Sequence, residues 1–429
     1  MAQLDETIEP GQVDHIADHQ KLASKANYVF DVMDYGATGD GTTDDTDACQ
    51  AAIDAAIAAS GTVLWPIADV RYAVTSLEVG ATNGGLRLQG EGMGSTIRSS
   101  GDTFDFTGTV LYLRMADLAL ETSGAGKACL QFSNAGSINQ STIRDCYFHA
   151  FDATGHAIDA VGATWEMQDN LWLNNTYSAD GSSLSVPIIN MIDTRGSVCN
   201  AQSFIGGRII GSTGATSVQV FLECQNASAW AYNNRFQDIN VEIAPYGFLQ
   251  ANGQYGLVID NVEIADTTLA ADCIVLSKYS TTGLNTRQTL LQSVWFLGNA
   301  GGSYDILDAD GGWTTTVIAS GGVTGTSTLN AGNGLTVIGG EWSSITNQDA
   351  RYTTRIETDS GFQVGYAGYY GFGGETGPEI SSGADTPEGA ITAPIGSLFL
   401  RNNGGAGTTL YVKESGTGNT GWVAMATSV

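Results

Sequence analysis

FDVMDYGATGDGTTDDTDACQAAIDAAIAASGTVLWP, residues 30 to 66, holds a short strand, a Gly/Asp turn, one Ala-rich helix and a second strand in that order. Gly36, Gly39 and Gly41 let the backbone turn where φ is positive. Thr43 or Asp44 is expected to cap the helix. Asp44, Asp45 and Asp47 crowd its first turn, where the helix dipole favours negative charge. Ala48, Ala52, Ala55, Ala56 and Ala59 with Ile53 and Ile57 form a small apolar stripe, and Ser60-Gly61 ends the helix before TVLWP. A helix this thin suits lying flat over an exposed end of stacked strands.

Outward from this segment, Tyr28 to about Trp342 alternates apolar and polar residues over short runs separated by Gly, Asn, Asp, Ser and Thr, the pattern of many short strands. The pentapeptide NVEIA occurs at Asn240–Ala244 and again at Asn261–Ala265, 21 residues on (261 − 240 = 21), a spacing that suits one solenoid rung. Weaker relatives stand at DNLWLNN (169–175), IGGRIIG (205–211), SVWFLGN (293–299) and IGGEW (338–342). Period-two alternation then predicts Leu171, Leu173, Val241, Ile243, Val262, Ile264, Val294 and Phe296 inside, with an outward column of Trp172, Ile209, Glu242, Glu263, Trp295 and Trp342.

The segment FDVMDYGATGDGTTDDTDACQAAIDAA resembles the opening of the pectate-lyase-like right-handed β-helix superfamily. That resemblance implies an all-β, right-handed parallel β-helix with an N-terminal capping helix. It says little about activity, because the superfamily includes lyases, hydrolases and pure binding spikes. The tail from Thr376, with PEGAITAPIGSLFLR and GTTLYVKESGTGNTGWV, resembles a small strand-rich module at the end of bacteriophage tail fibres and spikes. This second resemblance implies a homotrimer. The expected organisation is an N-terminal attachment arm (1–27), a β-helix body (28–345) and a C-terminal trimerisation module (346–429).

Among 429 residues there are 56 glycines and 7 prolines without a collagen period, which favours a turn-rich β protein. With 45 acids against 17 bases the net charge is −28, so nucleic acid is not an expected partner. The opening MAQLDETIEPGQ lacks a basic and an apolar region, so no secretion signal is read there, and no apolar run is long enough to insert in a membrane. Cys49, Cys129, Cys146, Cys199, Cys224 and Cys273 are widely spaced and read as buried thiols. In HIADH, His15 and His19 have zinc-protease spacing, but Ile16 stands where a catalytic Glu is needed. The acids Asp40, Asp44, Asp45 and Asp47 read as turn and helix-start residues, so no metal or other cofactor is expected.

The outward column supplies the chemistry. Glu242 and Glu263, one rung apart in this register, approach the roughly 5 Å separation of retaining glycosidase carboxylates. Asp238 and Asp260 lie nearby in sequence and suit the wider inverting geometry. Glu166 with Asp169 in WEMQDNLW is a second candidate pair, flanked by Trp165 and Trp172. Against catalysis stands an acidic ladder neutralised by Arg208 or Arg235. Trp165, Trp172, Trp295 and Trp342 are candidate sugar-stacking residues; the rival reading for exposed Ile209, Trp295 and Trp342 is a subunit interface. Lyase chemistry needs cations beside the enolate, and no Lys/Arg cluster is read on the rungs.

The expectation is a bacteriophage tailspike or tail fibre located on the virion and made in the host cytoplasm. Its expected partners are a host cell-surface polysaccharide, its own copies in a homotrimer, and a virion tail or baseplate protein held by the N-terminal arm. A free-standing glycoside hydrolase or lyase and a non-catalytic structural fibre are the alternatives.

Overall fold

The computed structural model describes residues 28–81, 84–133, 136–162, 167–179, 184–193, 199–225, 231–265 and 378–425, with shorter runs between 272 and 346 and at 370–371. The expected attachment arm, the HIADH histidines, Trp165, Glu166 and Trp342 lie outside these residues. The chain divides into two compact units, 1–353 and 354–429.

The first unit is a right-handed parallel β-solenoid. One rung holds Phe104–Phe106, Thr109–Leu111, Arg114–Ala116 and Ala119–Thr122. Each pairs in parallel with its counterpart on the next rung: Ala128–Phe132, Ser137–Asn139, Thr142–Arg144 and Tyr147–Ala150. Stacked strands lie about 4.8 Å apart, so side chains at equal register touch along the axis. Inside, Trp172 stacks on Phe204 at 5.4 Å and Phe204 on Phe236 at 5.0 Å. A second stack joins Phe148 and Tyr177 at 5.3 Å, a third Phe106 and Phe132 at 4.8 Å. The six cysteines are buried thiols, consistent with their reading as small apolar groups.

The corners are made by residues in the left-handed region. One column holds Tyr112, Gln140, Asp169, Ala201 and Asn233; another holds Asp117, Asp145, Asn174, Gly206, Asp238, Asn261 and Ser293. Asn and Asp tolerate this conformation better than other chiral residues, because their short polar side chains bond locally. Asn174 donates to Asp145 at 2.8 Å and Asn261 to Asp238 at 2.7 Å. Just past the first corner, buried Ser141, Asn170, Gln202 and Asn234 form an internal polar ladder. Asn170 Oδ1 accepts from the Ser141 N–H at 3.0 Å, and Asn234 Oδ1 accepts from the Gln202 N–H at 2.9 Å. These amides satisfy backbone groups that a corner leaves unpaired.

Helix α1 (Thr46–Ala59) turns Cys49, Ala52, Ile53 and Ala56 into the core, against the strands Val29–Asp31, Thr62–Trp65 and Leu77–Val79. Of the two expected caps, Asp44 bonds the helix start: its carboxylate accepts from the N–H of Thr46, the first helical residue, at 3.0 Å. Asp40–Asp44 is a strand, and Asp45 precedes the helix without bonding it through its side chain. The buried Asp45 carboxylate instead accepts from the N–H groups of Thr38 at 2.7 Å and Gly39 at 3.2 Å, fastening the glycine turn.

In the second unit a five-stranded sheet orders Tyr370–Gly371, Glu379–Gly383, Leu398–Arg401, Leu410–Lys413 and Trp422–Ala424. Ala393, Phe399, Tyr411 and Trp422 form its core. Buried Lys413 donates to the carbonyls of Gly418 and Thr420, which removes the cost of an unpartnered ammonium. Leu400, Val423 and Met425 remain exposed.

Candidate functional site

Outward residues of the strand after the second corner form a continuous ladder. Tyr147, Thr176, Arg208, Asn240, Glu263 and Trp295 occupy equal register on successive rungs. Two residues along the strand runs a second ladder, Arg98, Glu121, His149, Ser178, Ile210 and Glu242. At its start Arg98 pairs with Glu121 at 2.6 Å and lies 4.2 Å from the Phe151 ring centre, while Tyr147 Oη and His149 Nδ1 are 2.8 Å apart. The flank thus offers aromatic faces, hydroxyls, amides and both signs of charge at a repeat of one rung.

The register corrects the expected column. Asn240, not Glu242, stands opposite Glu263, and Val241 stands opposite Ile264. The two NVEIA segments are therefore out of phase on the solenoid. In the first, Asn240–Glu242 is strand and Ile243 takes φ 54°; in the second, Asn261 is itself the corner residue at φ 51°. Glu242 is two residues along from the position facing Glu263, which removes the one-rung carboxylate geometry. Its carboxylate is held by Arg208, the neutralising partner named as the rival reading.

Other candidates are placed as follows. Asp238 and Asp169 are exposed corner residues with φ 55° and 53°. Asp260 is half-buried between Gln237 and Gln292 of the adjoining rungs. Trp172, expected outside, is only 1% exposed and donates its indole N–H to Gln202 at 3.1 Å, so Leu171 and Leu173 face outward instead. Ile209 is likewise buried, and Ile243 is half-exposed with Ala244 inside. Trp295 is half-buried and neighbours Glu263, while Val294 and Phe296 point inward as expected.

A carboxylate pair that the sequence reading missed lies on another flank. Glu78 and Asp105 stand directly opposite each other on adjacent rungs. They line a hollow of about 700 Å³ together with Thr46, Asp47, Gln50 and Asp54 of α1. Burial holds the Asp105 carboxyl above the usual carboxylate range, against the 2.6 Å hydrogen bond it accepts from Ser133. Glu78 accepts from Thr107 Oγ1 at 2.7 Å. The signal for this pair is present in LEV (77–79) and FDF (104–106), each an acid between two inward residues. Among the described residues no group of three or more His, Cys, Asp or Glu side chains is arranged to hold a metal ion.

A family model described as rhamnogalacturonase A/epimerase, pectate lyase-like, matches residues 29–272. Mannuronan C5-epimerase AlgE1 of Azotobacter vinelandii is 46% identical over 74 residues, covering 16% of this chain and 5% of that protein. Alginate lyase 7 of the same organism is 45% identical over 83 residues, covering 18% and 9%. The chain thus spans a small part of these relatives. Among solved structures, ORF18 of Geobacillus virus E2 has a TM-score of 0.52 at 15% identity, covering 81% of this chain and 66% of that one, a likeness of fold alone.

Proposed function

Because this chain belongs to the pectate-lyase-like rhamnogalacturonase A/epimerase family, we propose that it binds a host cell-surface polysaccharide as the tailspike or tail fibre of a bacteriophage. The observation that carries this reading is the continuous outward ladder of Tyr147, Thr176, Arg208, Asn240, Glu263 and Trp295. Hydrogen-bonding and aromatic groups repeated every 4.8 Å or so match an extended polymer better than a compact ligand. The fibre-like tail segment and the fold shared with a viral protein support the virion location. In this reading α1 covers the open end of the solenoid, and the N-terminal arm, residues 1–27, attaches to a tail or baseplate protein.

The assembly is a homotrimer in this reading. Leu400 and Val423 expose aliphatic side chains on strands that pair through Leu410–Lys413, a face suited to other copies of the chain. Light scattering on the purified protein is expected to return three times the chain mass. A Leu400→Asp, Val423→Asp variant is expected to return the mass of one chain. A monomeric parent protein overturns the spike reading and favours a free-standing enzyme.

Cleavage of the bound glycan is a second reading, favoured by the opposition of Glu78 and Asp105. One rung approximates the roughly 5 Å separation of a retaining pair, and the raised Asp105 carboxyl suits a proton donor facing the Glu78 side chain. Reducing ends released from the bound polysaccharide test it. Loss of release in both Asp105→Asn and Glu78→Gln, with binding kept, supports the pair; full release in either removes it.

A further inference from the structure

The chain carries 17 basic residues against 45 acids, yet three arginines converge on one outward strip. Arg87, Arg114 and Arg144 come from the strands Arg87–Gly90, Arg114–Ala116 and Thr142–Arg144 on three successive rungs. Arg114 lies directly opposite Arg87, and Arg144 shares register with Ala116 and Gln89. With Gln89, Met115 and Thr142 they line a hollow of about 310 Å³. This overturns the expectation that the rungs bear no cationic cluster.

The three cations are not equally engaged. Arg144 is held by Asp145 at 2.6 Å and lies 3.9 Å from Asp117, whose carboxylate also accepts from the Gln89 amide at 3.0 Å. Arg87 and Arg114 are exposed and have no acidic partner among the described residues. Like charges directly opposite on neighbouring strands repel, and a bound anion between them relieves that repulsion. Guanidinium forks match the planar or tetrahedral oxygens of carboxylate and sulfate. Elsewhere the net charge of −28 repels polyanions, so an anionic group is drawn to this hollow in preference to the rest of the surface.

We propose that Arg87, Arg114 and Arg144 form a site for an oxyanion substituent of the glycan, the carboxylate of an acidic sugar or an ester sulfate. The assignment of that oxyanion to a glycan rests on the polysaccharide-binding reading above. The hollow is of a size to receive one charged sugar unit, with the polymer continuing along the rungs.

The test is protection of individual arginines from phenylglyoxal on the intact protein, resolved by peptide mass spectrometry. The probes are sodium glucuronate, sodium sulfate and glucose, at ionic strength matched with chloride. Arg235, exposed in the same outward column, is the internal control. Glucuronate or sulfate is expected to slow modification of Arg87 and Arg114 several-fold relative to Arg235, with no effect of glucose. Protection by glucuronate alone identifies a carboxylated sugar; protection by sulfate alone identifies a sulfate ester. Equal rates at all three arginines with every probe, or equal protection by glucose, overturn the proposal. The assay uses no host cell and no polymer, so it can fail while glycan binding stands.

Discussion

Asn240 of one rung stands opposite Glu263 of the next, and the Glu242 carboxylate turns instead to Arg208 on the rung before. The pair is substantially solvent-exposed, so its contribution to stability is small. Glu242→Gln is therefore expected to change unfolding free energy by less than about 1 kcal/mol. Glu242→Gln and Glu263→Gln are both expected to leave any glycan cleavage unchanged. Chemical denaturation and a reducing-end assay check the two halves of this statement.

Trp172 and Trp295 are expected to behave in opposite ways. Trp172 lies in the stack with Phe204, and its removal opens a cavity and takes from Gln202 Oε1 one of its two donors, the other being the Asn170 amide at 3.2 Å. Trp172→Ala should cost about 3–5 kcal/mol of stability. Trp295→Ala, on the outward ladder, should cost much less and weaken retention on immobilised host polysaccharide. Equal stability losses would show that both rings serve packing.

The corner at Asp238 sets a backbone requirement. Asp238→Ala should be less stable than Asp238→Gly by about 1 kcal/mol, because alanine is strained at positive φ and glycine is not. Both variants lose the hydrogen bond from Asn261 equally, so the difference isolates the backbone. Melting of the two variants in parallel measures it.

Asp105 gives a pH dependence with a definite sign. Its folded-state pKa is raised by burial above the ordinary 3.8, so the folded chain binds this proton more tightly than the unfolded chain. The stabilisation is fully present below pH 3.8 and is lost as pH rises through the folded-state value. Asp105→Asn should therefore gain stability relative to the parent protein between pH 3 and pH 7. Denaturant midpoints for both proteins across that range check it; a constant difference would contradict the burial argument.

The thiols test the core. Desolvation pushes Cys49 and Cys146 up to about 12, and both are buried. Native protein at pH 8 is expected to resist iodoacetamide at both, whereas denatured protein is alkylated.

The solenoid was legible in the sequence because its determinants are local. The glycine turn, the Ala-rich stripe of α1 and the short alternating runs each report their own geometry, and Val262, Ile264, Val294 and Phe296 point inward as alternation predicts. Alternation failed at Trp172, Ile209 and Ile243 because its phase is ambiguous. A left-handed corner residue bends the chain and resets which neighbours face inward, and Asp, Asn and Ser at such corners look like ordinary surface residues. The Arg87/Arg114 opposition was illegible for a related reason. Rungs of unequal length conceal which residues meet.

The amino-acid sequence by itself determined that the chain forms short strands joined by sharp turns, one thin helix near the start of the solenoid, and a strand-rich tail. Those properties depend on residues within a few positions of one another. The tertiary structure alone decided which side chains stand opposite across rungs: Asn240 with Glu263, Glu78 with Asp105, Arg87 with Arg114. Cross-rung neighbours are set by the summed length of every loop and corner between them. A shift of one residue moves a side chain from the solvent face to the core.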